Sequence, residues 1–176
     1  MTKPKLSREE ALAKIFNLQW EGKVVILGIR GYYLNSMGEV GKNDVGIYDD
    51  AIFIISPDHF SAYNGNTDPS RMHKGVAVLK SGIYPYRRGN HGITRPGGGY
   101  PALRPATAGE QLPVTRDGKD SVGIAINIHK GGYSTTSSEG CQTIYPDQWS
   151  EFINKVYEEM GRWQQKTIPY ILIENN

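Results

Sequence analysis

GIAINIHKGGYSTTSSEGCQTIYPDQW, residues 123–149, reads as a strand, a tight polar loop and a helix start in succession. GIAINIH is mostly apolar with only loose alternation, as in a buried strand, and it delivers His129 at its end. The eleven residues KGGYSTTSSEG that follow are too rich in glycine, serine and threonine for regular structure, and Cys141 comes directly behind Gly140. From Asp147 the pattern turns helical. Trp149, Phe152, Ile153, Val156, Tyr157, Met160 and Trp163 recur at i, i+3, i+4, i+7, i+8, i+11 and i+14, which predicts a helix from Asp147 to Trp163 with one core-facing stripe.

Working outward, strands dominate. Val24–Ile29, Ala51–Ser56, Phe60–Tyr63, Gly75–Leu79, Val122–His129 and Tyr170–Ile173 are short, β-branched or aromatic, and bounded by Gly, Pro, Asn and Asp. Ser7 with Glu10 three residues later has the form of a capping box, which predicts a first helix over about residues 8–20. Residues 86–116 carry so many glycines and prolines that they are expected to form one long irregular loop. The expectation is a single domain over residues 1–176, mixed but mostly β, a sandwich or curved sheet with an N-terminal helix and a C-terminal-side helix.

Composition excludes several classes. Glycine and proline make up 31 of 176 residues, which argues against a helical bundle. The formal net charge is +2 and the basic residues are scattered, so nothing favours a nucleic-acid partner. The apolar runs KVVILGI and AIFIIS are strand-length, well short of the roughly 20 residues of a membrane span. MTKPKLSREEALAKIF lacks the apolar run of a signal peptide, so cytoplasmic synthesis is expected, with action at the periplasm or cell wall only after delivery by a phage or a secretion machine. No immunity or secretion partner is legible.

One cysteine cannot form an internal disulfide. A thiol near its ordinary pKa of about 8.5 is mostly protonated at neutral pH, and an adjacent histidine can take its proton, hold the thiolate as an ion pair and later protonate a leaving amine. His129 and Cys141 are therefore the candidate base and nucleophile. Backbone N–H groups near Gly140 and Cys141 could face an oxyanion, and Ser138 either takes part in the chemistry or only shapes the loop. The group that orients His129, a side chain or a backbone carbonyl, is left open. His91, with Tyr84, Tyr86 and Arg88 nearby, is the candidate wall of a substrate cleft, whereas His59 and His73 sit beside turns. No H-x(3–5)-H or C-x-x-C pair anchors a metal, GEVGK lacks the spacing of a phosphate loop, and no cofactor is expected.

His129 at the end of an I-x-I-H strand, a glycine- and serine-rich loop, then Ser138-Glu139-Gly140-Cys141 resembles the L,D-transpeptidase catalytic domain, also called the YkuD-like domain. Its signature is a histidine, a spacer and [Ser/Thr]-x-Gly-Cys; papain-like enzymes place the cysteine first. Ser81-Gly-Ile-Tyr-Pro-Tyr-Arg-Arg-Gly-Asn-His91 is similar to the Gly-x-Tyr stretch that precedes the catalytic strand in such domains, and the resemblance covers about residues 24–145. Three departures mark a divergent branch: Gln142 and Thr143 follow the cysteine where the family has an aliphatic residue and often an arginine, the spacer is short, and Lys130 follows the histidine. Carboxylate recognition then falls to Arg87, Arg88 or Arg95. The resemblance implies a cysteine enzyme of peptidoglycan stem peptides, an L,D-carboxypeptidase, endopeptidase or transpeptidase working through a thioester. The alternative is a catalytically inactive module on the same fold that binds peptidoglycan or a protein.

Overall fold

Ser7 opens the first helix as its sequence predicts. The Ser7 Oγ accepts from the Glu10 N–H at 3.1 Å and the Glu10 carboxylate accepts from the Ser7 N–H at 2.7 Å, so two otherwise orphaned donors are covered. This helix, α1 (Arg8–Ile15), stops well before residue 20. Only Ala11 and Ile15 are buried in it, while Phe16 and Leu18 are exposed, so no apolar face exists to carry it further.

The computed structural model describes residues 1–176 and is mostly β, with 35% of residues in strands and 14% in helices. After α1 come β1 (Val25–Arg30), β2 (Asp50–Ile55), β3 (Phe60–Asn66), β4 (Val78–Leu79), β5 (Gly82–His91), β6 (Tyr100–Pro105), β7 (Leu112–Arg116), β8 (Lys119–Gly123), β9 (Ile128–Lys130), β10 (Gln142–Ile144), α2 (Pro146–Arg162) and β11 (Thr167–Glu174). Eight strands close on themselves in the order β1-β11-β5-β6-β9-β10-β3-β2, and β4-β7-β8 form a small separate sheet. The main sheet is thus closed, neither an open curved sheet nor a sandwich. Closure leaves no exposed edge in it. None of its helices is long and apolar enough to cross a membrane.

Residues 86–116 are not one irregular loop. β5 and β6 pair antiparallel from Tyr86↔Pro105 to His91↔Tyr100, and β7 follows. Glycine and proline fit there for local reasons: a Cβ at Gly89 would press on the Arg104 side chain that crosses it, and one at Gly99, which has φ +80°, would run into the His91 carbonyl. Two strand expectations also shift. The segment Val122–His129 splits into the end of β8 and β9 because Ala125 adopts φ +53° between them, and Gly75–Leu79 shrinks to the two residues of β4.

Two apolar layers hold the sheet. Ile26, Ile54, Tyr63 and Tyr170 share one face with a core that includes Phe152, Val156 and Met160 of α2. The opposite face of β1, β2 and β11 carries Val25, Leu27, Phe53 and Ile171 beneath Ala11 and Ile15 of α1. Being covered on both sides is why β1 and β2 read as continuous apolar runs. α2 begins one residue before its predicted start, with Pro146 in the first turn, and it buries the expected stripe with Tyr157 and Trp163 at its margin.

Candidate active site

β9 and β10 lie side by side and parallel, with Thr143 opposite His129 and Gln142 opposite Ile128. Gln142 and Ile128 face the core, where the Tyr170 hydroxyl donates to Gln142 Oε1 at 2.7 Å. Alternation therefore turns His129 and Thr143 to the other face. The pairing extends one step upstream, since the Gln142 N–H donates to the Asn127 carbonyl at 2.9 Å, which sets Cys141 at the mouth of β10 beside Asn127. Thiol and imidazole occupy diagonal positions on neighbouring strands, roughly 8 Å apart at Cα from sheet spacing.

The imidazole is held firmly. His129 Nδ1 lies 2.8 Å from the Lys130 carbonyl, so it carries the proton and donates it there, with the Tyr100 hydroxyl at 3.4 Å. Nε2 is left as the lone-pair nitrogen, and no protein group takes it. The orienting group is thus a backbone carbonyl. The ring stacks on His91, with centroids 3.9 Å apart and planes 12° apart. Burial first, then His91 and Arg95, push the His129 pKa down to about 4, so the ring is neutral at pH 7.

The thiol is half-buried, accepts from the Asn127 N–H at 3.4 Å and donates to the Ala125 carbonyl at 3.5 Å. Burial pushes its pKa up, against smaller opposing effects from the Asn127 N–H and Arg104. No hydrogen bond joins the sulfur to the His129 ring. The resting pair is therefore neutral thiol and neutral imidazole, in place of the expected ion pair. General-base removal of the thiol proton from this resting pair requires Sγ and Nε2 to come within hydrogen-bond reach as a substrate is attacked.

Ser138 shapes the loop. Its Oγ donates to the Cys141 carbonyl at 2.6 Å and accepts from the Gly140 N–H at 3.0 Å, which occupies both polar functions and removes the Gly140 N–H from any oxyanion hole. The Cys141 N–H makes no hydrogen bond within the protein. Gly140 is required by backbone: at φ +127° a Cβ would lie 2.8 Å from the Ala77 carbonyl oxygen. Ser70 clips the loop from below, donating its N–H to the Ser138 carbonyl and accepting the Ser138 N–H, each at 2.8 Å.

The expected cleft wall divides. His91 belongs to the site. Tyr84 and Tyr86 do not line a cleft: both are buried in the core, and their hydroxyls donate to the Lys80 and Ile126 carbonyls at 2.5 and 2.6 Å. In a ten-residue strand their side chains alternate away from the His91 face, which the local tyrosine-rich pattern did not disclose. Arg88 lies against the Tyr157 ring, 5.9 Å from its centroid, away from His129. Arg95 lines a cleft of about 350 Å³ with His91, Tyr100, His129, Lys130 and Ser137; Arg87 lines a neighbouring one of about 210 Å³ with Arg104, Glu110 and Ala125. His59 and His73 point elsewhere, to Ser61 and Glu139.

Asn127 is a site residue that the motif did not reveal. It is buried, its backbone N–H meets the sulfur, and its side-chain amide lies 3.3 Å from His91 Nδ1, with Oδ1 unpartnered. Its position two residues before His129 on a strand was the available signal, since alternation puts both on one face. No group of three or more His, Cys, Asp or Glu side chains is arranged to hold a metal ion. No family model, curated protein or solved structure matches this chain.

Proposed function

We propose that this chain is a cysteine acyl-transfer enzyme of the L,D-transpeptidase type, acting on amide bonds in peptidoglycan stem peptides, which places its work at the cell wall. The observation that carries the reading is Cys141 at the mouth of β10 beside the strand bearing His129, whose Nδ1 proton is pinned to the Lys130 carbonyl so that Nε2 is the free base. The mostly β architecture and the His…Ser-x-Gly-Cys order support it. Sγ attacks the amide carbonyl carbon while His129 Nε2 takes the thiol proton. The tetrahedral oxyanion faces the unengaged Cys141 N–H. Its collapse breaks the C–N bond, the leaving amine takes the proton from Nε2, and a thioester remains. Water or a second amine then attacks the thioester, giving its proton to Nε2, and the thiolate recovers that proton as it leaves.

One observation favours the second reading, an inactive binding module on the same fold: the thiol is held protonated and makes no hydrogen bond to the imidazole. Mass spectrometry of muropeptides incubated with the wild type and with Cys141→Ala decides between them. Products present only with the wild type establish thiol catalysis, and their masses distinguish a lost D-amino acid, a cut crosslink and a new dimer. Muropeptides bound but unchanged by both proteins establish the binding module.

A further inference from the structure

The cleft before His129 presents two cations, Arg95 and Lys130, two stacked imidazoles, and the hydroxyls of Tyr100 and Ser137, and no carboxylate lines it. Neither Arg95 nor Lys130 takes part in a salt bridge, although Lys130 Nζ rests 5.4 Å from the Tyr100 ring centroid. The nearest acidic neighbour along the loop, Glu139, is engaged by His73 at 2.7 Å. Concave walls focus the field of like charges, and here no carboxylate of this protein answers it. Beyond the contact of Lys130 with the Tyr100 ring, folding gains little from that arrangement. A guanidinium fork and an ammonium on residues lining one cleft instead match the oxygens of a carboxylate or a phosphate.

We propose that this cleft is an oxyanion-binding subsite whose occupancy activates His129 as the base of the reaction. The proposal rests on the acyl-transfer reading and adds to it a requirement on the substrate: an anionic group positioned beside the His91–His129 stack. His91 is faced by Asn127, Tyr100, Arg95 and Arg104, and His129 by His91, Arg95, Tyr100 and the Lys130 carbonyl, so every charge acting on the pair is positive. A bound oxyanion supplies the missing negative charge and favours the protonated ring. That raises the affinity of His129 for a proton from its depressed value toward the range in which a general base works at neutral pH. An acyl donor without the anionic group leaves the base weak.

The experiment follows the ring Cε1–H resonances of His91 and His129 by NMR in the full-length chain, titrated from about pH 4 to 8 at constant ionic strength across the range of histidine ionisation. Chloride alone is compared with acetate, inorganic phosphate and uncharged acetamide. The expected result is a saturable response to an oxyanion, with the His129 midpoint moving up by about one pH unit as an opposite charge arrives. Arg95→Gln/Lys130→Gln is expected to weaken that response at least about tenfold with an unchanged melting temperature. Preference for acetate assigns the subsite to a substrate carboxylate, and preference for phosphate to a phosphate group; both support it. A response that is linear in concentration, shared by acetamide or unchanged in the double variant overturns it. Muropeptide turnover separates the two levels. Turnover lost in Cys141→Ala but undiminished in the double variant overturns the subsite and leaves the acyl-transfer reading intact. A saturable oxyanion response in a wild type that turns over no muropeptide supports the subsite as a binding site and overturns the acyl-transfer reading.

Discussion

Two polar clusters in this molecule differ in what completes them. At the end of β1, Arg30 is buried and answered on every side: Asp68 at 3.3 Å, Glu174 at 3.1 Å, the Thr67 hydroxyl at 2.9 Å and the Thr67 carbonyl at 2.7 Å. Beside it, Asp50 accepts from the Gly31 and Thr67 N–H groups and from the Thr67 hydroxyl. Around β9, the two cations Arg95 and Lys130 line a cleft with the neutral rings of His129 and His91, and no carboxylate completes them. The first cluster ties the ends of β1, β2, β3 and β11 together and is finished by folding. The second remains electrostatically open, which is the condition of a site that waits for a ligand.

Substitutions can break that contrast at either end. Cys141→Ala is expected to have the largest effect, lowering muropeptide turnover by about a thousandfold or more while the melting temperature stays near that of the wild type; product rates and a thermal melt check both halves. Arg30→Met is expected to do the reverse. It strands the buried carboxylates of Asp50 and Asp68 and should cost about 3–5 kcal/mol in denaturant unfolding, with activity per folded molecule retained. A large loss of specific activity in that variant would show that the two clusters are not separate.

Acid sharpens the comparison. His129 has a pKa near 4 in the folded chain against an ordinary value of 6.5, so between those values the unfolded chain binds a proton that the folded chain refuses. Its contribution is complete above about pH 6.5 and falls as pH drops toward 4, a difference of about 3 kcal/mol at 1.36 kcal/mol per pKa unit. Asp49, pushed up to about 6 by burial, acts in the opposite sense, losing stability as pH rises. Measuring the wild type against His129→Gln across this range cancels the aspartates. The wild type should lose stability relative to the variant as pH falls, and a flat difference would remove the assigned ionisation. The smallest effect is expected from Arg95→Gln, an exposed side chain with no salt bridge, which should change stability by no more than about 0.5 kcal/mol in the same assay.

Legibility followed burial. β1 and β2 are covered on both faces, so their apolar runs announced themselves, and α2 declared itself through a stripe that one core imposes. β5 and β6 stayed hidden because one face is open and holds arginine, glycine and histidine, and because their prolines are accommodated by local pairing, Pro85 opposite Pro169 and Pro101 opposite Asn90. Within the candidate site, the order of His129, Ser138, Gly140 and Cys141 along the chain was readable as a motif. Which residues surround them was not: Tyr84 and Tyr86 turned into the core, while Asn127, Ser70 and Lys130 came to the site from alternation, from a distant loop and from a backbone carbonyl.

What the sequence determined by itself is therefore local: a capped first helix, the doubly buried strands, the amphipathic α2, and a histidine and a thiol separated by a loop rich in glycine, serine and threonine. The tertiary structure decided the closure of the sheet, the parallel register that sets Cys141 beside Asn127, the stack of His91 on His129, and the shifted ionisation of His129 and Cys141. The physical reason is range. Propensity, capping and periodicity act within a few turns of chain, whereas desolvation and the field at a titrating group are sums over neighbours that only the folded chain brings together.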